Sequence, residues 1–309
     1  MSAAARARRA KSALLSLGTA LALGACAGAP ARPAQVAAAA DRVDVTFDGA
    51  PFCGYRPTGG RRPVIWPLFA PSGAAVTRAF PFAQVDGEPR DHPHHESLWF
   101  AVADANGVDF DAGDGRIVEV QQELDPARGA VRGVSVWRDA AGREVARDFH
   151  RVGFAGGDGW RIVDLDVTVM ASNGGLRLGG RAGTLGLRLH PALSLRSGAR
   201  ARTADGREGA ATFGARSRWV ACSGEFQGRR VTVAVFDHPQ NPGHPVAWNA
   251  RDYGLLTAQP FAGAAAGETT ALDLPAGAQV PFRYRVWIGE GEDWVDRVDD
   301  AWSDWVAGG

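Results

Sequence analysis

The sequence predicts an all-β protein, one large antiparallel β-sandwich finished by a short C-terminal helix. Three observations predict it. First, apolar residues recur at every second position: Val163, Leu165, Val167 and Val169 alternate with Asp164, Asp166 and Thr168. The same period runs through Val231, Val233 and Val235, and through Val280, Phe282, Tyr284, Val286 and Ile288. A strand puts successive side chains on opposite faces, so each run reads as a half-buried antiparallel strand. Second, turn chemistry separates such runs: Asp139-Ala-Ala-Gly142, Gly156-Gly-Asp-Gly159, Ser172-Asn-Gly-Gly175 and Ala204-Asp-Gly206. Strands spaced about ten residues apart suit a sandwich, and no linker interrupts them, so residues 41–309 form a single domain. Third, Trp294, Val298, Trp302 and Trp305 share one face of a helical pattern over residues 293–306, with acidic residues opposite. This helix docks on the sandwich through its tryptophans.

The N-terminus is read as targeting, not fold. Arg6, Arg8, Arg9 and Lys11 precede the short apolar run of residues 13–25, which ends Leu23-Gly24-Ala25-Cys26. A basic segment, a short apolar stretch and small residues before a cysteine resemble a bacterial lipobox. Residues 1–25 are therefore expected to be a lipoprotein signal peptide and Cys26 the lipidated residue, with the exported protein anchored in the membrane and facing the periplasm or outer membrane. Residues 26–40, rich in Ala and Pro, read as a tether. No later run is long and apolar enough to span a membrane as a helix, so lipid is the expected sole anchor.

Composition excludes some classes. Without residues 1–25, 30 basic side chains face 34 acidic ones, and Lys11 is the only lysine. That balance argues against nucleic acid as a partner. Beyond Cys26, Cys53 and Cys222 allow either a disulfide or two buried thiols.

The candidate site begins at Asp91-His92-Pro93-His94-His95-Glu96-Ser97-Leu98-Trp99-Phe100, where three of the seven histidines fall within four positions. Imidazole suits proton transfer near neutral pH, metal ligation and hydrogen bonding to sugars. Pro93 biases His92 toward extended geometry, which places His92 and His94 on one side and His95 on the other. A second stretch, Phe236-Asp237-His238-Pro239-Gln240-Asn241-Pro242-Gly243-His244-Pro245, repeats the Asp-His-Pro triplet and leads to Trp248-Asn249-Ala250-Arg251-Asp252-Tyr253-Gly254. Five of seven histidines lie in these two segments, which are expected to converge on one pocket. His150 and His190 read as scattered structural histidines. Among ten tryptophans, Trp66, Trp99 and Trp248 lie near these loops, where aromatic faces could stack on pyranose rings, although packing explains most of the ten.

His92-Pro-His-His, Leu98-Trp-Phe-Ala, Asn106-Gly-Val-Asp-Phe110, Phe236-Asp-His-Pro-x-Asn-Pro-x-His-Pro245 and Trp248-x-x-Arg-Asp-Tyr-Gly254 resemble, over residues 42–290, a bacterial family that carries the name methane oxygenase PmoA. The membrane-embedded subunit of that name needs several transmembrane helices, which this chain lacks after its signal. The resemblance implies a galactose-mutarotase-like supersandwich and a genomic setting among sugar-catabolic enzymes. It implies a candidate site of His92, His94, His95, His238, His244, Arg251, Asp252 and Tyr253; the five histidines are read as catalytic, and Glu96, Trp99, Asn106 and Trp248 join Arg251, Asp252 and Tyr253 as expected substrate-binding residues. The chain departs from the family at Gly179-Gly-Arg-Ala-Gly183, where relatives carry a Gly-Asp-Thr-Lys-Glu-Gly-like turn, and at Glu96, where many carry Arg.

Three functions fit these residues. In the first, the protein is a carbohydrate epimerase, lyase or hydrolase. A histidine moves a proton, Glu96 or Asp252 is its carboxylate partner, and Arg251 binds a carboxylate or an oxyanion. In the second, His92 and His94 with His238 or His244 hold a divalent metal, copper or zinc. In the third, the protein is a non-catalytic glycan-binding lipoprotein. A small-molecule carbohydrate is the expected partner, and no cofactor is certain.

Overall fold

Alternating apolar residues bury one face of each strand, and the computed structural model shows what they bury it against. It describes residues 31–58, 60–265, 267–292 and 294–308. Two large antiparallel sheets carry the fold. One runs Arg200–Thr203, Trp219–Phe226, Arg229–Asp237, Gln279–Glu290, Trp160–Met170, Glu144–Gly157, Ala130–Arg138, Arg116–Asp125, with Arg32–Pro33 paired to Glu144–Gly157. The other runs Ala247–Trp248, Leu255–Gln259, Leu185–Arg188, Leu98–Phe100, Val64–Leu68, Ala50–Arg56, Val43–Phe47, Gln35–Ala38. A small third sheet joins Ala271–Leu274, Leu176–Gly179 and Asp104–Ala105. One hydrophobic cluster draws Val45, Ile65, Leu98 and Leu187 from the second sheet and Val152, Val163, Leu165 and Val286 from the first. Two sheets sharing one apolar layer make the sandwich.

The strand Trp160–Met170 buries alternate residues, as its sequence period requires. Arg229–Asp237 and the later half of Gln279–Glu290 differ, being buried on both faces. The reason is the helix Trp294–Ala307. Trp294 and Val298 are buried in a second cluster with Ile162, Trp219, Ala234, Phe236 and Trp287, and Trp302 and Trp305 pack against it. The helix therefore covers the face of the first sheet that points away from the main core. Each side chain buried this way contributes about 1.5–3 kcal/mol. Trp219 Nε1 donates to Asp299 at 2.9 Å and Trp302 Nε1 to the Asp237 carbonyl at 3.2 Å, so the buried indole N–H groups have partners.

The ordered fold starts earlier than residue 41. Arg32–Pro33 and Gln35–Ala38, inside the segment read as a tether, are strands. Val36 and Ala34 supply the buried side chains that composition alone hides among surrounding alanines. Residues 1–30, with the expected signal peptide and Cys26, lie outside the described residues, as does Asp293. Cys53 and Cys222 are both free and buried, and burial pushes the Cys222 thiol up to about 12.

Candidate functional site

The loop carrying His92, His94 and His95 is shaped by buried arginines. Arg78 Nη1 donates to the Asp91 carbonyl at 2.9 Å and Nη2 to the His92 carbonyl at 3.1 Å. Arg62 Nη2 donates to the His94 carbonyl at 2.7 Å, while its Nε meets Glu96 Oε2 at 3.0 Å. Neither arginine is more than 1% exposed. Held this way, the loop turns: His95 N donates to the His92 carbonyl at 3.0 Å, and His92 and Ser97 adopt positive φ of 45° and 64°. Left-handed backbone costs non-glycine residues on the order of 1 kcal/mol each. The extended path expected from Pro93 is thus replaced by a turn, because the arginines hold these carbonyls on one side.

The turn stacks the rings. His92 lies on His95 at 4.7 Å and on Tyr253 at 5.4 Å, all nearly parallel, and His95 lies on Trp99 at 5.7 Å. His94 meets His95 edge to face at 4.4 Å and His92 at 5.8 Å. A side chain at Gly186 would meet the Trp99 ring at 2.2 Å, so this stack needs a glycine beneath it. Asp91 Oδ2 lies 3.0 Å from His92 Nδ1, and Asp91 also holds Arg188 Nη2 at 2.9 Å and Arg78. Among the described residues, His92 Nε2 and both ring nitrogens of His94 have no hydrogen-bond partner. His92 and His94 reach solvent, while His95 is 5% exposed.

Burial and neighbouring cations disfavour the charged forms of His94 and His95. Burial, the His94 ring and Arg188 push His95 down to about 2. His94 is lowered by burial and by Arg62 against the opposing pull of Asp111. Asp91 is held below the usual carboxylate range although burial works the other way, because Arg188, His92 and Arg78 outweigh it. Burial raises Glu96 despite Arg62.

The second Asp-His-Pro segment does a different job. Asp237 is fully buried and accepts from Asn241 Nδ2 at 2.8 Å, Val246 N at 3.0 Å and His244 Nδ1 at 2.6 Å. His238 meets Trp305 of the helix edge to face at 5.1 Å. No hydrogen bond, ion pair or ring contact among the described residues joins His238 or His244 to His92, His94 or His95. Asp237 ties its loop to the helix through Trp302, and Tyr253, further along the second segment, is the residue whose ring meets the histidine stack. No group of three His, Cys, Asp or Glu side chains among the described residues could hold a metal ion, so the ligand set of His92, His94 and His238 or His244 is not assembled.

The other expected residues divide. Tyr253 joins the stack. Asp252 pairs with Arg196 at 2.9 Å, and Arg251 lies 4.6 Å over the Phe213 ring. Glu96 is 5% exposed and committed to Arg62. Trp99 and Trp248 are buried and donate to Asp111 and to the Ser217 carbonyl, so neither presents a face to a sugar. Asn106, at φ 54°, links its turn to Gly175 and Arg177. Gly179–Gly183 follows a strand of the small sheet.

A buried constellation was overlooked between the sheets. His150 Nδ1 lies 2.7 Å from Asp148 Oδ1 and Nε2 lies 3.0 Å from Glu119 Oε2, while Tyr55 donates to Glu119. Trp137 Nε1 donates to Asp148 at 2.6 Å. Glu119, Ser135 and Asp148 are cross-strand neighbours, beside a bulge between Glu119 and Gln121. His150 lies over Gly133, where a Cβ would meet Nε2 at 2.3 Å. Burial opposes the imidazolium, but Asp148 and Glu119 outweigh it and raise His150 to about 9. A cavity of about 40 Å³ borders Tyr55, Ser135, Asp148 and His150, and Trp99 walls it from the other sheet. The signal was present: Ala146, Asp148, His150 and Val152 share one strand face, a polar pair in an apolar row.

Two antiparallel sheets, a capping helix and an arginine-braced histidine stack define an all-β sandwich protein with a candidate acid–base site. Residues 42–303 match the family of unknown function DUF6807, and the chain belongs to that family. No curated protein matches the chain. A crystal structure described as a "Putative aldose 1-epimerase" of Escherichia coli K12 aligns over 85% of this chain and 100% of its own, at 10% identity and a TM-score of 0.38. No helix among the described residues is long and apolar enough to cross a membrane.

Proposed function

We propose that the protein is a carbohydrate-active enzyme in which His92 and His94 form an acid–base pair. The observation that supports this is the pairing of a carboxylate-oriented imidazole with a second, half-buried one. Asp91 Oδ2 lies 3.0 Å from His92 Nδ1, and among the described residues His92 Nε2 has no hydrogen-bond partner. His94, 5.8 Å away between ring centres, carries two nitrogens without protein partners. One ring can take a proton from a sugar hydroxyl or carbon acid while the other donates to a second oxygen, as epimerisation, elimination and hydrolysis all need. Burial lowers His94, which favours the base form of its ring. His95 and Tyr253 position these rings. His238 and His244 have no part in the chemistry. We propose too that the methane oxygenase name does not describe the chain's activity.

The test is turnover of aldoses and uronic acids by the purified protein, followed by polarimetry and NMR. His92→Gln and His94→Gln are each expected to lower the rate about 10²–10⁴-fold, the usual share of acid–base catalysis, with the melting temperature little changed. Wild-type sugar binding without turnover would leave a glycan-binding site and remove the enzyme.

The same proposal places the protein in the cell envelope, anchored through Cys26 and facing the periplasm or outer membrane. Cys26→Ser is expected to abolish palmitate labelling and shift the protein out of the membrane fraction. Labelling that persists in the variant would end the lipobox reading.

A further inference from the structure

The charge around the stacked rings is unbalanced. Arg78 and Arg188, buried to within 1%, both converge on the single carboxylate of Asp91. Arg188 Nε has no hydrogen-bond acceptor, an unusual state for a buried guanidinium. The guanidiniums of Arg188 and Arg196 lie 4.4 and 5.4 Å from the centre of the Tyr253 ring, the ring that stacks on His92. Arg251, two residues before Tyr253, is exposed and makes no ion pair among the described residues. Arg78, Arg188 and Arg196 thus lie against Asp91, His92 and Tyr253, and Arg251 lies two residues before Tyr253, over the Phe213 ring. The carboxylates among them are Asp91, Asp252, which holds Arg196, and Glu88, which takes Ala79 N and approaches His190 at 3.7 Å. With Arg251 of the neighbouring turn, four guanidiniums stand against these three carboxylates.

We infer that the substrate of this site is a sugar bearing an oxyanion, either a carboxylate or a phosphate, rather than a neutral sugar. The inference rests on the acid–base reading of His92 and His94. Guanidinium groups match the paired oxygens of carboxylate and phosphate, and they keep their charge at any working pH. The arginines set the sign of the field. Arg196 and Arg251, on the solvent side, are the residues that would meet the anionic group. Arg78 and Arg188 act from behind Asp91 as positioning residues.

Calorimetric titration of the full chain with glucose, galactose, glucuronate, galacturonate and glucose 6-phosphate tests this. At least one acidic sugar is expected to bind tenfold or more tightly than its neutral counterpart. That advantage should shrink several-fold between 50 mM and 500 mM salt. Arg251→Ala and Arg196→Ala should each reduce it, and His94→Ala should abolish binding of the acidic sugar. Uronates and the sugar phosphate separate the two sources of the anion. Neutral sugars binding as tightly as acidic ones, in a His94-dependent way, would overturn the oxyanion inference and leave the acid–base site standing. If no sugar of either kind binds, both readings fall.

Discussion

His95 and His150 are both buried imidazoles, and burial alone disfavours a charge on each. His95 is pushed down to about 2, whereas His150 is raised to about 9. The difference lies in the neighbours. His95 faces other imidazoles and the cations Arg188 and Arg78, while His150 is gripped at both nitrogens by Asp148 and Glu119. Among the described residues, the outer cluster keeps ring nitrogens of His92 and His94 without hydrogen-bond partners near solvent. The inner cluster has both nitrogens committed, which makes a clamp between strands and not a base. Trp99 touches both, stacking on His95 and lining the inner cavity. Histidine count in the sequence singles out a loop, but the surroundings of each ring are decided by carboxylates and arginines from elsewhere in the chain.

The largest expected effect separates the two clusters by stability. Asp148→Ala leaves a buried imidazolium short of one partner and should cost about 3–5 kcal/mol in urea unfolding. His92→Ala, at an exposed ring, should stay within about 1 kcal/mol. Equal losses would erase the distinction between clamp and site.

A smaller effect is expected in the pH dependence. His150 has its folded pKa raised, so its contribution is fully present below about pH 6.5 and is lost as pH rises through about 9. His95 has its folded pKa depressed. Below about pH 6.5 the unfolded chain takes up a proton that the folded ring refuses, and stability falls on the acid side. Urea midpoints measured from pH 5 to 10 should show both limbs, and His150→Gln should flatten only the alkaline one. Loss of the acid limb in that variant instead would reverse the assignment.

The smallest effect belongs to Ser135, whose buried hydroxyl lies at the inner cavity without a partner. Ser135→Ala should be neutral or stabilise by up to about 1 kcal/mol. A clear loss of stability would mean that the hydroxyl bonds a water in the cavity.

Much of the architecture was legible from residue spacing. The period of two in residues 163–169 and 280–288 and the tryptophan stripe of the helix each specify a face, and a face specifies what must be covered. The site was legible in part. Asp91, His92, His94 and His95 stand together in the chain, and Tyr253 lies in the second singled-out segment. The polar pair Asp148 and His150 could have been found by the same alternation that found the strands.

What the sequence determined by itself is therefore local: which residues share a strand face or a helix stripe, and where chain turns. The tertiary structure decided which faces are covered twice. Arg188 alternates with leucines in Leu185-Gly-Leu-Arg-Leu189 and looks solvent-facing by period, yet it is buried behind Asp91, 97 residues away in sequence. Trp248 near a loop looks available to a ligand, yet it is fully buried. Periodicity fixes a side chain's direction relative to its own backbone. Its burial, its charge partners and hence its pKa depend on what other segments lay against it, and that is set only when both sheets and the helix have packed.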